Sequence, residues 1–169
     1  MTLILSGTDG LSDVDGSAAT PAIRGTDANT GIFFPTADTI AFSEGGVESM
    51  RLDSSANLQF NSGYGSVATA YGCRAWVNFN GTGTVAIRAS GNVSSITDNG
   101  TGDYTLNFTT ALADTNYAPV ISSNNIASNA SVSNNNDYAS VRTTTAYRFG
   151  HLEAAALTDA SVLCVAIFR

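Results

Sequence analysis

Apolar residues follow two different spacings along this chain. Between residues 22 and 62 they come in short bursts, at 32–34, 40–42, 50–52 and 58–60, separated by small, polar and glycine-rich turns. That is little apolar material for a lone core, and the spacing is too regular for disorder; such segments gain stability when identical chains wrap around one another. Residues 63–72, with Gly63, Gly65 and Gly72, read as a connector. From Cys73 onward the pattern becomes strict alternation. Cys73, Ala75, Val77 and Phe79 share one face, while Arg74, Trp76, Asn78 and Asn80 share the other.

The alternation predicts a run of short strands. Asn80-Gly81-Thr82-Gly83 is a hairpin turn, since Asn and Gly accept positive φ cheaply. A strand over 84–89 follows, then a weaker one over 92–97, and a turn at 98–102. Tyr104, Leu106 and Phe108 alternate with Thr105, Asn107 and Thr109. Pro119 sends the strand over 117–121 to a sheet edge, because proline cannot donate to a ladder. Residues 122–137 are a long Ser/Asn/Ala loop; 138–142 and 145–150 read as strands around it, and 152–157 as a short helical turn. Residues 162–168 are apolar on both faces, which predicts cover on each side from the domain's own layers or from a neighbouring subunit. The predicted fold class is all-β: an intertwined N-terminal region over 1–62, the connector over 63–72, and a jelly-roll-like β-sandwich over 73–169.

Composition agrees. Only 12% of residues are charged, against about 25% in an average soluble domain, and all seven positive charges are arginine. A net charge of −7 argues against a nucleic-acid backbone as partner. No stretch approaches the ~20 apolar residues of a membrane helix, and residues 2–5 are too short for a signal-peptide core. Synthesis in a cytoplasm is expected, and with it free thiols at Cys73 and Cys164, both read as buried; a bridge between them is the alternative.

The segments "IRGTDANTGIFFP" and "MRLDSSANL", within residues 22–62, resemble the shaft and attachment regions of tailed-bacteriophage fibre proteins. The segments "CRAWVNFNGTGTVAIRAS" and "GDYTLNFTTALADTNYAPVIS" resemble the heads of such fibres. The resemblance implies a homotrimeric virion structural protein, assembled in the host cytoplasm. It would attach to tail or baseplate proteins by its N-terminus and meet the host surface, a polysaccharide, with its head. A capsid head fibre or decoration protein shares this sequence grammar; a secreted bacterial lectin or adhesin is a further alternative.

Catalytic chemistry finds little support. No G-x-S-x-G elbow, HExxH helix or phosphate loop is present, and Asp98 and Asp103 suit turns in their own right. The Asp13-Val14-Asp15-Gly16 run fails the calcium-loop spacing in both frames, and His151 is the only histidine. We expect no enzyme, no cofactor and no metal centre. Candidate glycan contacts are Trp76, on the polar face of its strand, with Tyr138, Tyr147, Asn134, Asn135 and Arg142 around the Asn-rich loop. The candidate virion-attachment residues are Thr2, Leu3, Ile4 and Leu5, an isolated β-prone run suited to adding a strand to a partner's sheet edge. The bland reading of the aromatics is packing.

Overall fold

The computed structural model describes residues 4–6, 10–12, 14–123, 141–153 and 156–169, the first two segments by their backbone alone. The described residues hold strands and no helix, arranged in several antiparallel sheets. Internal contacts divide the chain into two units, between Ala70 and Tyr71.

In the first unit, β1 (Ile4–Ser6) and β2 (Gly10–Ser12) form a two-stranded ladder. Then β3 (Ile23–Arg24), β4 (Gly31–Phe33), β5 (Ile40–Glu44), β6 (Val47–Leu52), β7 (Leu58–Phe60) and β8 (Ala68–Thr69) form one antiparallel meander in chain order. Each apolar burst has become a strand, and each pairs with the next burst of the same chain.

The turns explain the regularity. Gly45 and Gly46, at φ 59° and 81°, make the two-residue hairpin between β5 and β6, and two successive positive φ angles favour glycine at both positions. Between β6 and β7 the Asp53 carboxylate accepts the N–H groups of Ser55 and Asn57, each at 2.9 Å, and these bonds, Asn57 first, hold its pKa below the ordinary carboxylate value. Asp27 organises the turn before β4 in a similar way, accepting the Asn29 N–H at 3.3 Å and the Thr30 hydroxyl at 2.7 Å. The aspartate–small–asparagine grammar of this region is therefore a series of side-chain-to-backbone turns.

In the second unit, β9 (Cys73–Asn80), β10 (Ala86–Gly91), β11 (Val93–Gly100), β12 (Asp103–Phe108), β13 (Ala118–Ser123), β14 (Ala146–Gly150) and β17 (Leu163–Phe168) form two sheets, ordered β10-β9-β17-β13 and β11-β12-β14. Their inward residues meet in one buried cluster. A line of ring contacts runs through it: Phe79 to Tyr104 at 5.2 Å, Tyr104 to Phe149 at 5.9 Å, Phe149 to Tyr147 at 5.6 Å, Tyr147 to Tyr117 at 6.1 Å, and Tyr117 to Phe108 at 6.0 Å. Edge-to-face and offset pairs at such distances add about 0.5–1.5 kcal/mol each beyond burial.

Several expectations are met here. The alternation over 73–80 puts Ala75, Val77 and Phe79 in the core and Trp76 outside, and β13, with its Pro119, is an edge strand. Others are corrected. The predicted helical turn over 152–157 is instead a pairing of β15 (Leu152–Glu153) with β16 (Ala156–Leu157), because the chain leaves β14 still extended and Thr158 N–H returns to the His151 carbonyl at 3.0 Å. Of the cover expected for the last strand, the domain's own layers supply one face, over Leu163, Val165 and Ile167; on the other, Cys164 and Ala166 are half-buried and Phe168 is exposed. Cys73 is exposed rather than buried, and both thiols are free. Their partners in the ladder are Phe168 and Asn78, which places them about 13 Å apart along the strands, beyond the reach of a bridge. Of the strand expected over 138–142, residues 138–140 lie outside the described residues, and Arg142 makes a single bridge to Tyr147.

Candidate interaction surfaces

Directly paired residues in an antiparallel ladder lie on the same side of the sheet, so the meander's register defines its two faces. One row runs Ile23, Ile32, Phe42, Met50, Phe60 and Ala68 across all six strands. A second, two residues along, runs Ile40, Leu52 and Leu58. Both rows are apolar and uncharged, yet Met50 is 36% and Phe60 45% exposed, and Ile23, Ile40, Leu52 and Leu58 are similarly open.

The opposite side is the one the protomer buries. Phe33 pairs with Ala41, and both are buried, as is Ser43. Pro21 comes within 2.9 Å of where a Cβ on Gly31 would sit, and Phe34 N–H bonds the Asp15 carbonyl at 2.8 Å. Toward β7, Arg51 makes a two-pronged ion pair with Glu48, and Gln59 donates to Asp53 at 2.7 Å. Apart from Phe33, the meander thus turns small and polar residues inward and leaves its large apolar ones outside. A cleft of about 820 Å³ opens at one end of this unit, between Phe34, Pro35, Asp38, Ile40, Leu52 and Asp53.

In the second unit, Trp76 lies on the outer face of the four-stranded sheet, 44% exposed. The register sets it in a row with Gly91, Ala166 and Val120; the next row is Ala89, Asn78, Cys164 and Ser122. Small residues in the middle and larger ones beside them leave a shallow trough of about 290 Å³, lined by Trp76, Asn78, Val120, Ser122, Cys164 and Ala166. The indole leans over Gly91, where an added Cβ would stand 2.5 Å from Nε1. Arg88 donates to Asn78 Oδ1 at 3.3 Å and to the Ser161 carbonyl at 2.6 Å, leaving the Asn78 amide N–H pair as the group it can offer.

The sequence-predicted glycan residues do not gather. Tyr147 is a core residue, 2% exposed, its ring stacked on Phe149 and edge-on to Tyr117. It is unavailable to a surface ligand, and the expectation is corrected. The signal was present in the sequence: Tyr147 and Phe149 alternate with Ala146 and Arg148, so both rings face inward while Arg148 pairs with Asp103. Burial raises the phenol pKa of Tyr147, and that of Tyr117 to about 12, with the Arg142 charge opposing both shifts. Arg142 itself is exposed. Asn134, Asn135 and Tyr138 lie outside the described residues, as do Thr2 and Leu3. Ile4 and Leu5 are already paired, with Ser12 and Leu11, so the N-terminal run is not an isolated strand.

His151 is buried. Its Nδ1 meets the Thr158 carbonyl at 2.6 Å and its Nε2 the Ser123 hydroxyl at 3.1 Å. Since a carbonyl only accepts, Nδ1 carries a proton, and the ring is a crosslink within this unit. Among the described residues, no group of three or more His, Cys, Asp or Glu side chains is placed to hold a metal ion.

No family model matches the chain, and neither a curated protein nor a solved structure resembles it closely enough to register as a match.

Proposed function

We propose that this chain is a structural fibre of a tailed-phage virion, a homotrimer with a β-sandwich, jelly-roll-like head. The N-terminal unit docks on tail or baseplate proteins, and the head meets the host surface, a polysaccharide. The observation that carries the reading is the fate of residues 22–62. The segment that resembles phage-fibre shafts forms a meander of short strands and aspartate turns, followed by a separate β unit with its own core. Rigid turns with few charges suit a spacer that must hold its shape. The host contact in this reading is the outer face around Trp76, an exposed aromatic beside amide and hydroxyl groups. Each site would be weak, and copies on a common frame would multiply its effect.

Immunogold labelling of phage particles with antibodies to residues 71–169 tests this. Gold at the tail or baseplate is the expected result. Gold distributed over the capsid would replace the tail fibre by a head fibre, and particles free of the protein would end the virion reading.

A further inference from the structure

We infer that the apolar face of the meander is an interface between copies of this chain. The proposal deepens the self-assembly part of the fibre reading and rests on that part alone.

Area is the first argument. Seven large apolar side chains on this face, the six named above and Val47 beside its ladder partner Glu44 at the hairpin end, each expose between 36% and 58% of their surface. At ~200 Å² per large side chain this leaves about 600 Å² open. That is the upper end of what a lone protomer leaves bare, and most of the ~800 Å² that each partner gives to a standard interface. Half-buried Ile32 and Phe42 continue the same surface.

Chemistry chooses the occupant. The rows Ile32–Phe42–Met50–Phe60 and Ile40–Leu52–Leu58 contain no charged residue and no hydrogen-bonding side chain. A different protein would need some feature here to recognise, and charge pairing or hydrogen bonds usually supply it. A second copy needs only the same flat face presented by symmetry, the situation in which interfaces resemble a core cut in half. The charges of this unit are placed consistently with that. Glu48 and Arg51 pair with each other on the opposite side, Asp27 and Asp53 are ionised but held in turns, and Glu44 stands beside Val47 at the hairpin end of the face, so the central rows themselves put no like charges across the contact.

Light scattering on the full chain, with Met50→Glu and Phe60→Glu variants, tests the inference. We expect three chain masses for the wild type and one, a threefold fall, for each variant. A wild type of three masses unchanged in both variants would overturn the interface while leaving the fibre reading in place, and a wild type of one mass would overturn the interface and the homotrimer together. A wild type of two masses falling to one would keep the interface and remove the threefold arrangement. Should a variant fail to fold, a photoreactive benzophenone side chain at Phe60 in the otherwise unaltered protein decides. Bands at multiples of the chain mass, absent when the label sits in the turn at Ser55, support the proposal. Crosslinks only within one chain, including any to residues 71–169, refute it.

Discussion

The Tyr104 hydroxyl donates to Asp159 Oδ1 at 2.7 Å, joining strand β12 of one sheet to the loop that leads into β17 of the other. The same carboxylate oxygen accepts the Gly102 N–H at 2.7 Å, and the Gly81 carbonyl lies 3.0 Å from the hydroxyl as a second acceptor. Three turns of the second unit thus converge on one buried phenol. Tyr104→Phe keeps the edge-on contact with Phe79 and removes only the oxygen. Loss of a bond to a charged acceptor costs about 1.5–3 kcal/mol, and the urea midpoint should fall accordingly. Trp76, the only tryptophan, reports this unit by its fluorescence. An unchanged midpoint would mean that water replaces the hydroxyl at no cost.

Alkaline pH should weaken the same unit. Burial, with the Asp159 hydrogen bond added, raises the Tyr104 phenol pKa well above its ordinary value; burial raises Tyr117 to about 12, and Tyr147 upward as well. A raised folded-state pKa means the neutral form is favoured in the fold. The stability this represents is fully present below about pH 10, the unfolded value, and is lost as pH climbs from there toward 12. Denaturant titrations at about pH 8 and about pH 11 should show a lower midpoint at the higher pH. Because Tyr64 and Tyr71 are exposed, total phenolate absorbance does not report the buried rings, and it is an unchanged midpoint that would contradict their burial.

Gly102 marks a place in the second unit where substitution should be poorly tolerated. It sits at φ 65°, and an added Cβ would lie 2.5 Å from Thr158 N and 2.7 Å from the His151 carbonyl. A left-handed backbone alone costs a non-glycine residue about 1–3 kcal/mol, and backbone atoms cannot step aside. Gly102→Ala should therefore destabilise the unit by more than Tyr104→Phe in the same fluorescence assay. Gly83→Ala is the control: its φ is similar, 63°, but nothing stands within 4 Å, so only the smaller backbone cost should appear.

What the sequence made legible follows from period. Alternation over 73–80 and 104–108 fixes which side chains face the core, because successive residues in a strand point to opposite faces. Tyr147 was open to the same reading, but its neighbourhood to an Asn-rich stretch favoured a surface role, and the structure places it among Phe149 and Tyr117. The apolar face of the meander was harder to foresee. Bursts of three apolar residues carry no alternation, so nothing in Ile40-Ala41-Phe42 says that Ala41 turns inward while the larger neighbours stay out. Register supplies that information, and register is set by turns whose partners lie in other strands. The segment over 152–157 failed for a related reason: its own β15–β16 pairing is held at the base by bonds from Gly102 and His151, which lie outside it.

The attachment proposal can be sharpened by the packing of residues 14–22. Asp15 and Pro21 take part in the first unit through the Phe34 bond, the Gly31 contact and the Gly16–Pro21 bridge. A deletion should therefore stop short of Val14. Removing residues 1–12 takes away the β1–β2 ladder and should leave a folded protein that no longer enters virions, read by blotting purified particles. Normal incorporation would withdraw Thr2, Leu3, Ile4 and Leu5 from the attachment role.

Trp76 carries the host-contact proposal, and it also has a structural alternative, since the indole covers Gly91 on the edge strand β10. The two roles predict different losses. If covering Gly91 is its main role, Trp76→Ala should lower the unfolding midpoint and leave host adsorption per folded molecule unchanged. If the ring stacks on a sugar, the side chain is 44% exposed and its removal should cost little stability. Adsorption should still fall by about tenfold or more, since an aromatic stack worth even 1.4 kcal/mol per site is a factor of ten and copies multiply it. Asn78→Ala, which removes the amide beside the trough, should act in the same direction and more weakly. Melting can follow tyrosine signals in the variant without tryptophan. Full adsorption by a folded Trp76→Ala protein would remove the outer face of the four-stranded sheet from host contact and leave the head as a spacer.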